Sequence, residues 1–214
     1  MTKDNKEISK ATLNRLPSYL KYLYQLDKLN VATVSSTTIA NGLNLNPVQV
    51  RKDIALVSSV AGKPKMGYVT KEIIADLESF LGYNNTHDAI LVGVGGLGKA
   101  FLGYGGFDNY GLNIVAAFDN NDRIINTKIN GKPVYDIAKL KEIVERFNIQ
   151  IGIITVPSYA AQEVADRMVS AGIKAIWNFA SVHLNIPSNI ALKNEDLASS
   201  LALLSLQIQQ NRND

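Results

Sequence analysis

The chain has 214 residues, enough for one large or two small domains, and a hydrophobic content of 46%, which suits packed cores rather than disorder. It contains no cysteine and two histidines, His87 and His183, so disulfides, thiol redox chemistry and thiolate metal sites are excluded and a multi-histidine metal site lacks its ligands. The net charge of +3 is uneven: residues 1–83 carry 11 Lys and Arg against 7 Asp and Glu, whereas residues 84–214 carry 11 against 12.

No apolar run approaches the ~20 residues of a membrane span. The polar start, Met1-Thr-Lys-Asp-Asn-Lys-Glu7, leads into no apolar signal-peptide core. A soluble, cytoplasmic protein without membrane partners is expected.

Leu13, Leu16, Leu20, Leu23 and Leu26 recur at steps of three and four, which predicts an amphipathic helix over 12–28. Pro17 belongs near its first turn or marks a kink. Ser35-Ser36-Thr37 can cap a short helix ending at Gly42. Asn46-Pro47 starts a third helix, to about residue 59, because Asn caps and Pro loses nothing at the first helical position. On this helix Val50, Ile54 and Val57 share a face expected in a core. Val48, Arg51, Lys52 and Ala55 lie towards the other side, with Gln49 bordering it. Two cations among small residues suit a helix seated in a DNA major groove, and Gln49 is placed to reach a base edge.

Gly62-Lys-Pro-Lys-Met-Gly67-Tyr68-Val69 reads as a basic turn with a strand on its far side. Three helices followed by a hairpin is the order of a winged helix-turn-helix. Lys63 and Lys65, at the tip of the turn, are candidates for minor-groove or phosphate contacts. A helix from Lys71 to Leu81 and a polar linker, residues 82–87, follow. The first domain is therefore expected over residues 1–83.

From Asp88 the pattern changes. Ala89-Ile-Leu-Val-Gly93 is a continuous apolar run, as in a strand buried on both faces. Further strands are expected at 114–118, 151–156 and 175–179, with helices at 137–147 and 160–171 between them. Alternating strands and helices imply an α/β domain with a parallel sheet, here over residues 84–194.

Gly93-Val94-Gly95-Gly96-Leu97-Gly98 follows the first strand directly and opens a helical stretch, Lys99 to Tyr104, the context that a dinucleotide-binding loop requires. Gly93 permits the tight turn, Gly95 lets backbone approach a pyrophosphate, and Gly98 lets helix and strand pack closely. Backbone N–H groups at the helix start, with its positive dipole end, suit the phosphates. Asp119 ends the second strand, 21 residues after Gly98, where an acidic side chain bonds the adenosine ribose. A carboxylate there repels a 2′-phosphate and favours NAD(H) over NADP(H), although Arg123 stands close by.

The last stretch, 195–210, reads as a helix with Leu197, Leu201, Leu204 and Ile208 in one stripe, widened by Leu203 and Leu206. Such a surface needs cover. Either it docks on its own domain or it crosses to a second subunit.

The chain resembles the Rex family of bacterial redox-sensing transcriptional repressors along nearly its whole length. The pieces that carry the resemblance include Thr12-Leu-Asn-Arg-Leu16, Val50-Arg-Lys-Asp53, Leu91-Val-Gly-Val-Gly95, Ala116-Ala-Phe-Asp119, Thr155-Val-Pro157, Asn178-Phe-Ala180 and Asn194-Glu-Asp196, in the family's order. The resemblance implies a homodimer with an N-terminal winged helix, a Rossmann domain and a C-terminal helix (195–214) exchanged between subunits. It implies binding to an inverted-repeat operator when NADH is scarce, release by NADH, and competition from NAD+. By position, Arg51 and Lys52 belong to the recognition helix and Arg15 joins the expected DNA contacts. Gly93, Gly95, Leu97 and Gly98 hold pyrophosphate, and Asp119 holds ribose. Pro157, Asn178 and Phe179 lie near the nicotinamide. Tyr104 and Asp196 match a pair that couples the pocket to the DNA-binding domain.

The chain departs from the family pattern in four places. The turn reads Lys63-Pro64-Lys65 where an arginine and glycine are usual. Lys21 stands where some relatives have an arginine that pairs with the counterpart of Asp196, and a lysine lacks its fork geometry. Leu197 and Ser181 replace an aromatic residue and a proline.

Two other functions fit the same outline. A small NAD-dependent dehydrogenase needs a substrate cradle and a proton donor, yet His183 is the only histidine after the loop and Lys99 and Tyr104 are not at Tyr-x-x-x-Lys spacing. No catalytic residue is therefore assigned. A regulator of the same architecture that binds another nucleotide, such as coenzyme A, is the nearer alternative.

Overall fold

The structure is a computed structural model that describes residues 8–59, 62, 67–83 and 87–210. The chain divides into two compact units, residues 1–85 and 86–214.

In the first unit α1 (Lys10–Lys28) starts at Ser9, whose hydroxyl accepts the N–H of Thr12. Its leucine periodicity buries Leu16, Leu20 and Leu23, together with Tyr19. Each such fully buried aliphatic side chain contributes about 1.5–3 kcal/mol. Pro17 lies inside the helix, past its first turn, which leaves the second of the two expectations for it, a kink. α2 (Ser36–Leu43) is capped by Ser35 as expected, but it runs through Gly42 and ends at Asn44, the residue that adopts the left-handed conformation. Gly42 serves packing instead: a Cβ there would fall 2.2 Å from the Tyr22 ring.

α3 (Pro47–Val57) begins at Asn46, whose side-chain oxygen accepts the N–H groups of Val48 and Gln49. It buries Val50, Asp53 and Ile54 against the other helices. The short strand β2 (Tyr68–Val69) lies on the far side of the basic turn. Its partner is not a neighbouring hairpin strand but β1 (Thr33–Val34), which leads into α2. Gly67 permits this pairing, since it has φ +76° and a Cβ would meet the Val34 carbonyl oxygen at 2.2 Å. α4 (Thr70–Leu81) ends at Gly82, in the left-handed conformation.

The second unit follows the order β3 (His87–Val92), α5 (Gly96–Gly103), β4 (Leu112–Asp119), β5 (Lys128–Ile129), β6 (Lys132–Asp136), α6 (Leu140–Phe147), β7 (Ile151–Ile154), α7 (Ser158–Ser170), β8 (Ala175–Asn178), β9 (Ala191–Asn194) and α8 (Leu197–Gln210). The sheet order is β5-β6-β4-β3-β7-β8-β9, and every neighbouring pair is parallel except β5 with β6. Counted from β3 and leaving out the antiparallel β5, the strands lie in the order 3-2-1-4-5-6 of a doubly wound Rossmann sheet.

Both faces of this sheet are covered, which explains the unbroken apolar run at 89–92. Ile90 and Val92 pack with Leu140, Val144, Ala161 and Ala165 of α6 and α7. Ala89 and Leu91 pack on the other face with Leu102 of α5. The switch in strand order falls at β3, between β4 and β7.

Candidate functional site

The glycine loop leaves β3 at this switch point, where ligands of doubly wound sheets bind. Its glycines do two different jobs. Gly93 has φ +101°, and a Cβ on it would meet Thr155 and Val156 within 2.8 Å. A Cβ on Gly98 would fall 2.0 Å from the Gly93 carbonyl oxygen, so close packing of helix on strand excludes any side chain there. Gly95 and Gly96 are different, because a Cβ on either meets no protein atom within 4 Å. The fold itself does not require glycine at these two positions; the open space beside the backbone does the work that a bound phosphate needs. Gly95 precedes α5 without a side-chain cap, so the first N–H groups of the helix remain available to an anion.

Asp119 extends from the end of β4 into the same place. One carboxylate oxygen accepts the Val94 N–H at 2.6 Å, and the other accepts the N–H groups of Asn120 and Asn121 at 2.9 Å. The carboxylate thus ties its own turn to the glycine loop, a role that the spacing argument had not assigned. Thr155 ties the loop from the other side, donating its hydroxyl to the Gly93 carbonyl at 2.6 Å. A cavity of about 500 Å³ opens here, lined among others by Gly93, Val94, Gly95, Asp119 and Pro157. That volume and mixed lining suit a ligand of cofactor size, and the donor set, with open space at Gly95 and Gly96, fits a dinucleotide. Leu97 lies in the first turn of α5, partly exposed.

Other expected site residues are placed differently. Asn178 is fully buried, and its amide is spent inside the protein. Its nitrogen donates to Ala180 O, Val182 O and Asn194 Oδ1, and its oxygen accepts the Ala180 N–H. The Asn178 side chain thus braces the segment after β8. Phe179 packs in an aromatic cluster, 4.7 Å from both Phe101 and Trp177. Tyr104, 56% exposed, stands edge-on to Phe107 of the same cluster, at the rim of a second cavity of about 230 Å³. Asp196 accepts the N–H groups of Ala198 and Ser199 and the Ser199 hydroxyl, so its carboxylate serves as the cap of α8, and these bonds hold its pKa below the usual carboxylate range. On α8, Leu201, Leu204, Leu206 and Ile208 are all more than half exposed.

In the first unit Arg51, Lys52, Val48 and Ala55 are exposed on α3, opposite Val50 and Ile54. Lys63 and Lys65 lie outside the described residues. Arg15 is not a free cation: its Nε and Nη2 donate to Asp53 at 2.7 and 3.0 Å, and Nη2 also donates to Thr12. Gln49, although exposed, donates its amide to Asp53 at 2.9 Å. Arg15 thus forms a structural ion pair with the buried Asp53. Sequence reasoning missed Asp53 as a residue with a role, although its place three residues after Val50 and four before Val57 sets it on the buried face of α3.

A helical unit that exposes Arg51 and Lys52 on one helix, joined to a Rossmann unit with open space beside its glycine loop, fits a nucleotide-responsive DNA-binding regulator. Comparisons with known proteins narrow this class. A family profile described as "Putative DNA-binding protein N-terminus" matches residues 7–55, and one described as "CoA binding domain" matches residues 84–182. The redox-sensing transcriptional repressor Rex of Treponema denticola is 41% identical over 94% of this chain and 95% of its own length. That of Carboxydothermus hydrogenoformans is 42% identical over 96% and 98%. Among solved structures, RSP, a Rex-family repressor, in complex with β-NAD+ and operator DNA superposes with a TM-score of 0.90 at 34% identity, covering 97% of this chain and 95% of RSP. The RSP complex with β-NADH gives 0.87, covering 97% of both chains. The chain belongs to the Rex family of redox-sensing transcriptional repressors. Its relatives are named as repressors and not as enzymes, so the expectation of a regulator rather than a dehydrogenase holds.

Proposed function

We propose that the protein is a cytoplasmic homodimeric repressor that holds an inverted-repeat operator when NADH is scarce and lets it go when NADH fills the cavity beside Gly95. The observation that carries this reading is the open space at Gly95 and Gly96 next to the carboxylate of Asp119. The RSP complexes with β-NAD+, β-NADH and operator DNA support the same ligands here. Gly93 to Gly98 are taken as the pyrophosphate site, Asp119 as the ribose site, and Pro157 with Phe179 as the nicotinamide end. Arg51 and Lys52 are taken as the groove contacts, together with Lys63 and Lys65 of the turn. The exposed leucines of α8 support its use, with residues 195–214, as the helix exchanged in the dimer. Tyr104 and Asp196, with Lys21, remain the proposed relay between pocket and DNA.

Release is a shift of population. NADH must bind the DNA-incompetent dimer more tightly, because a ligand with equal affinity for both states shifts nothing. Reduced nicotinamide is neutral and the oxidised ring carries a charge, so burial in apolar surroundings costs NAD+ more. The profile described as "CoA binding domain" makes coenzyme A the second reading for the same cavity. Fluorescence anisotropy of a labelled inverted-repeat duplex, titrated without cofactor, with NAD+, with NADH and with coenzyme A, tests the proposal. Release by NADH alone is expected. Release by coenzyme A alone would hand the cavity to that ligand.

A further inference from the structure

Among the described residues, Asp53 is the only charged side chain that is buried, with 1% of its surface exposed. Five donor contacts converge on it. Oδ2 accepts Arg15 Nε and the Tyr19 hydroxyl, both at 2.7 Å. Oδ1 accepts Gln49 Nε2 at 2.9 Å, Arg15 Nη2 at 3.0 Å and the Thr12 hydroxyl at 3.2 Å. Burial alone would raise its pKa, but the bonds from Arg15, Tyr19 and Gln49 outweigh it and keep the carboxylate ionised.

Stability alone does not call for a network of this kind, since well-packed apolar residues of similar volume are often as stabilising or more so. What it supplies is geometry. Apolar faces can slide and rotate, whereas a two-point guanidinium–carboxylate contact fixes one rotation of α3 against α1. Arg51 and Lys52 sit directly before Asp53 on α3, and Gln49 sits one turn earlier. A carboxylate only accepts hydrogen bonds, so the amide nitrogen of Gln49 must be the atom that faces Asp53. The side chain is exposed, which leaves its carbonyl oxygen and second N–H for another partner. An acceptor beside a donor on one amide is the pattern that reads the N6 and N7 edge of adenine.

We propose that Asp53 is a positioning residue for operator reading: it fixes the rotation of α3 on α1 and holds the Gln49 amide in the orientation that reads adenine. This rests on the first unit being the DNA reader. The probe is a duplex enriched by the wild-type protein from a randomised pool, compared with a scrambled duplex at fixed salt. Failure of the wild type to enrich any sequence would overturn the functional reading, and this proposal with it. Asp53→Asn should lower the preference for the enriched duplex by roughly ten- to a hundredfold, the worth of one or two base contacts. The salt dependence, which counts phosphate contacts, should stay as in the wild type. Gln49→Ala should relax selection at one A·T pair per half-site, and should add no further loss at that pair in an Asp53→Asn background. Preference within twofold of wild type for Asp53→Asn, or equal weakening on both duplexes, would overturn the proposal. Should Asp53→Asn unfold, the variant Arg15→Met/Tyr19→Phe/Asp53→Leu replaces the network by apolar packing. It should fold and still lose the preference, and its retention would overturn the proposal equally.

Discussion

Replacing Gly95 by alanine separates what the glycine loop does for the protein from what it does for a ligand. In the folded chain the added Cβ meets no atom within 4 Å, and the residue has φ −74°, comfortable for any L-amino acid. The folded state therefore loses nothing, and the smaller conformational freedom of the unfolded chain should stabilise the variant by about 0.4–1 kcal/mol. A ligand meets the opposite effect. The methyl group stands where a pyrophosphate would approach the backbone, and each charge-assisted hydrogen bond lost there is worth about 1.5–3 kcal/mol. One lost bond weakens NADH binding roughly ten- to a hundredfold, and two weaken it by the square of that factor. Gly98→Ala is the contrast: its Cβ would fall 2.0 Å from the Gly93 carbonyl oxygen, a backbone atom. Backbone must shift, at about 1–3 kcal/mol, so thermal stability should fall by several degrees. Calorimetric titration with NADH and thermal unfolding of both variants provide the assay. Wild-type NADH affinity in Gly95→Ala would refute the assignment of the cradle, however stable the variant proved to be.

Asp119→Ala should abolish NADH-driven release while operator binding survives. It should also cost stability, about 1–3 kcal/mol, because the Val94 N–H loses its acceptor; an unaltered NADH response in anisotropy would remove the ribose from Asp119. Arg51→Ala should weaken operator binding by about 1–3 kcal/mol with NADH affinity intact, and equal loss of both, measured side by side, would mean misfolding instead. The network around Asp53 predicts two pH arms. The Asp53 carboxylate lies below its ordinary pKa, so its stabilisation is complete above that ordinary value and is lost as the pH falls through the lowered one. Burial and the bond to Asp53 push the Tyr19 phenol up to about 12, so its contribution is complete below its ordinary value of about 10 and disappears as the pH rises through 12. Denaturant unfolding across pH should show this alkaline loss in the wild type and not in Tyr19→Phe.

Elements with strong periodicity or caps were legible in the sequence. The leucines of α1, the Ser35 and Asn46 caps and the apolar run of β3 each name a local cause, and the structure has them. Most of what escaped had a non-local cause. Thr33–Val34 is too short for a pattern and becomes a strand only by meeting Tyr68–Val69. β9 is a short, mostly exposed edge strand without alternation. The β5–β6 hairpin did carry a signal, Asn130-Gly131, and both residues adopt positive φ as a tight primed turn demands. At the site, glycine spacing located the loop and gave Gly93 the turn and Gly98 the close packing, as the structure has them; that Gly96 also borders open space had no signal. Asn178, expected at the nicotinamide, is consumed by Ala180, Val182 and Asn194, contacts that exist only once the segment after β8 folds back.

Under the proposed function the protein responds to the state of the nicotinamide rather than to nucleotide as such. The direct measurement holds total NADH plus NAD+ constant, varies their ratio, and follows the fraction of labelled operator bound. Operator should be released as the NADH share rises, and Gly95→Ala should move the midpoint to a higher share. A bound fraction that stays flat across all ratios, with both nucleotides bound, would contradict the proposed function.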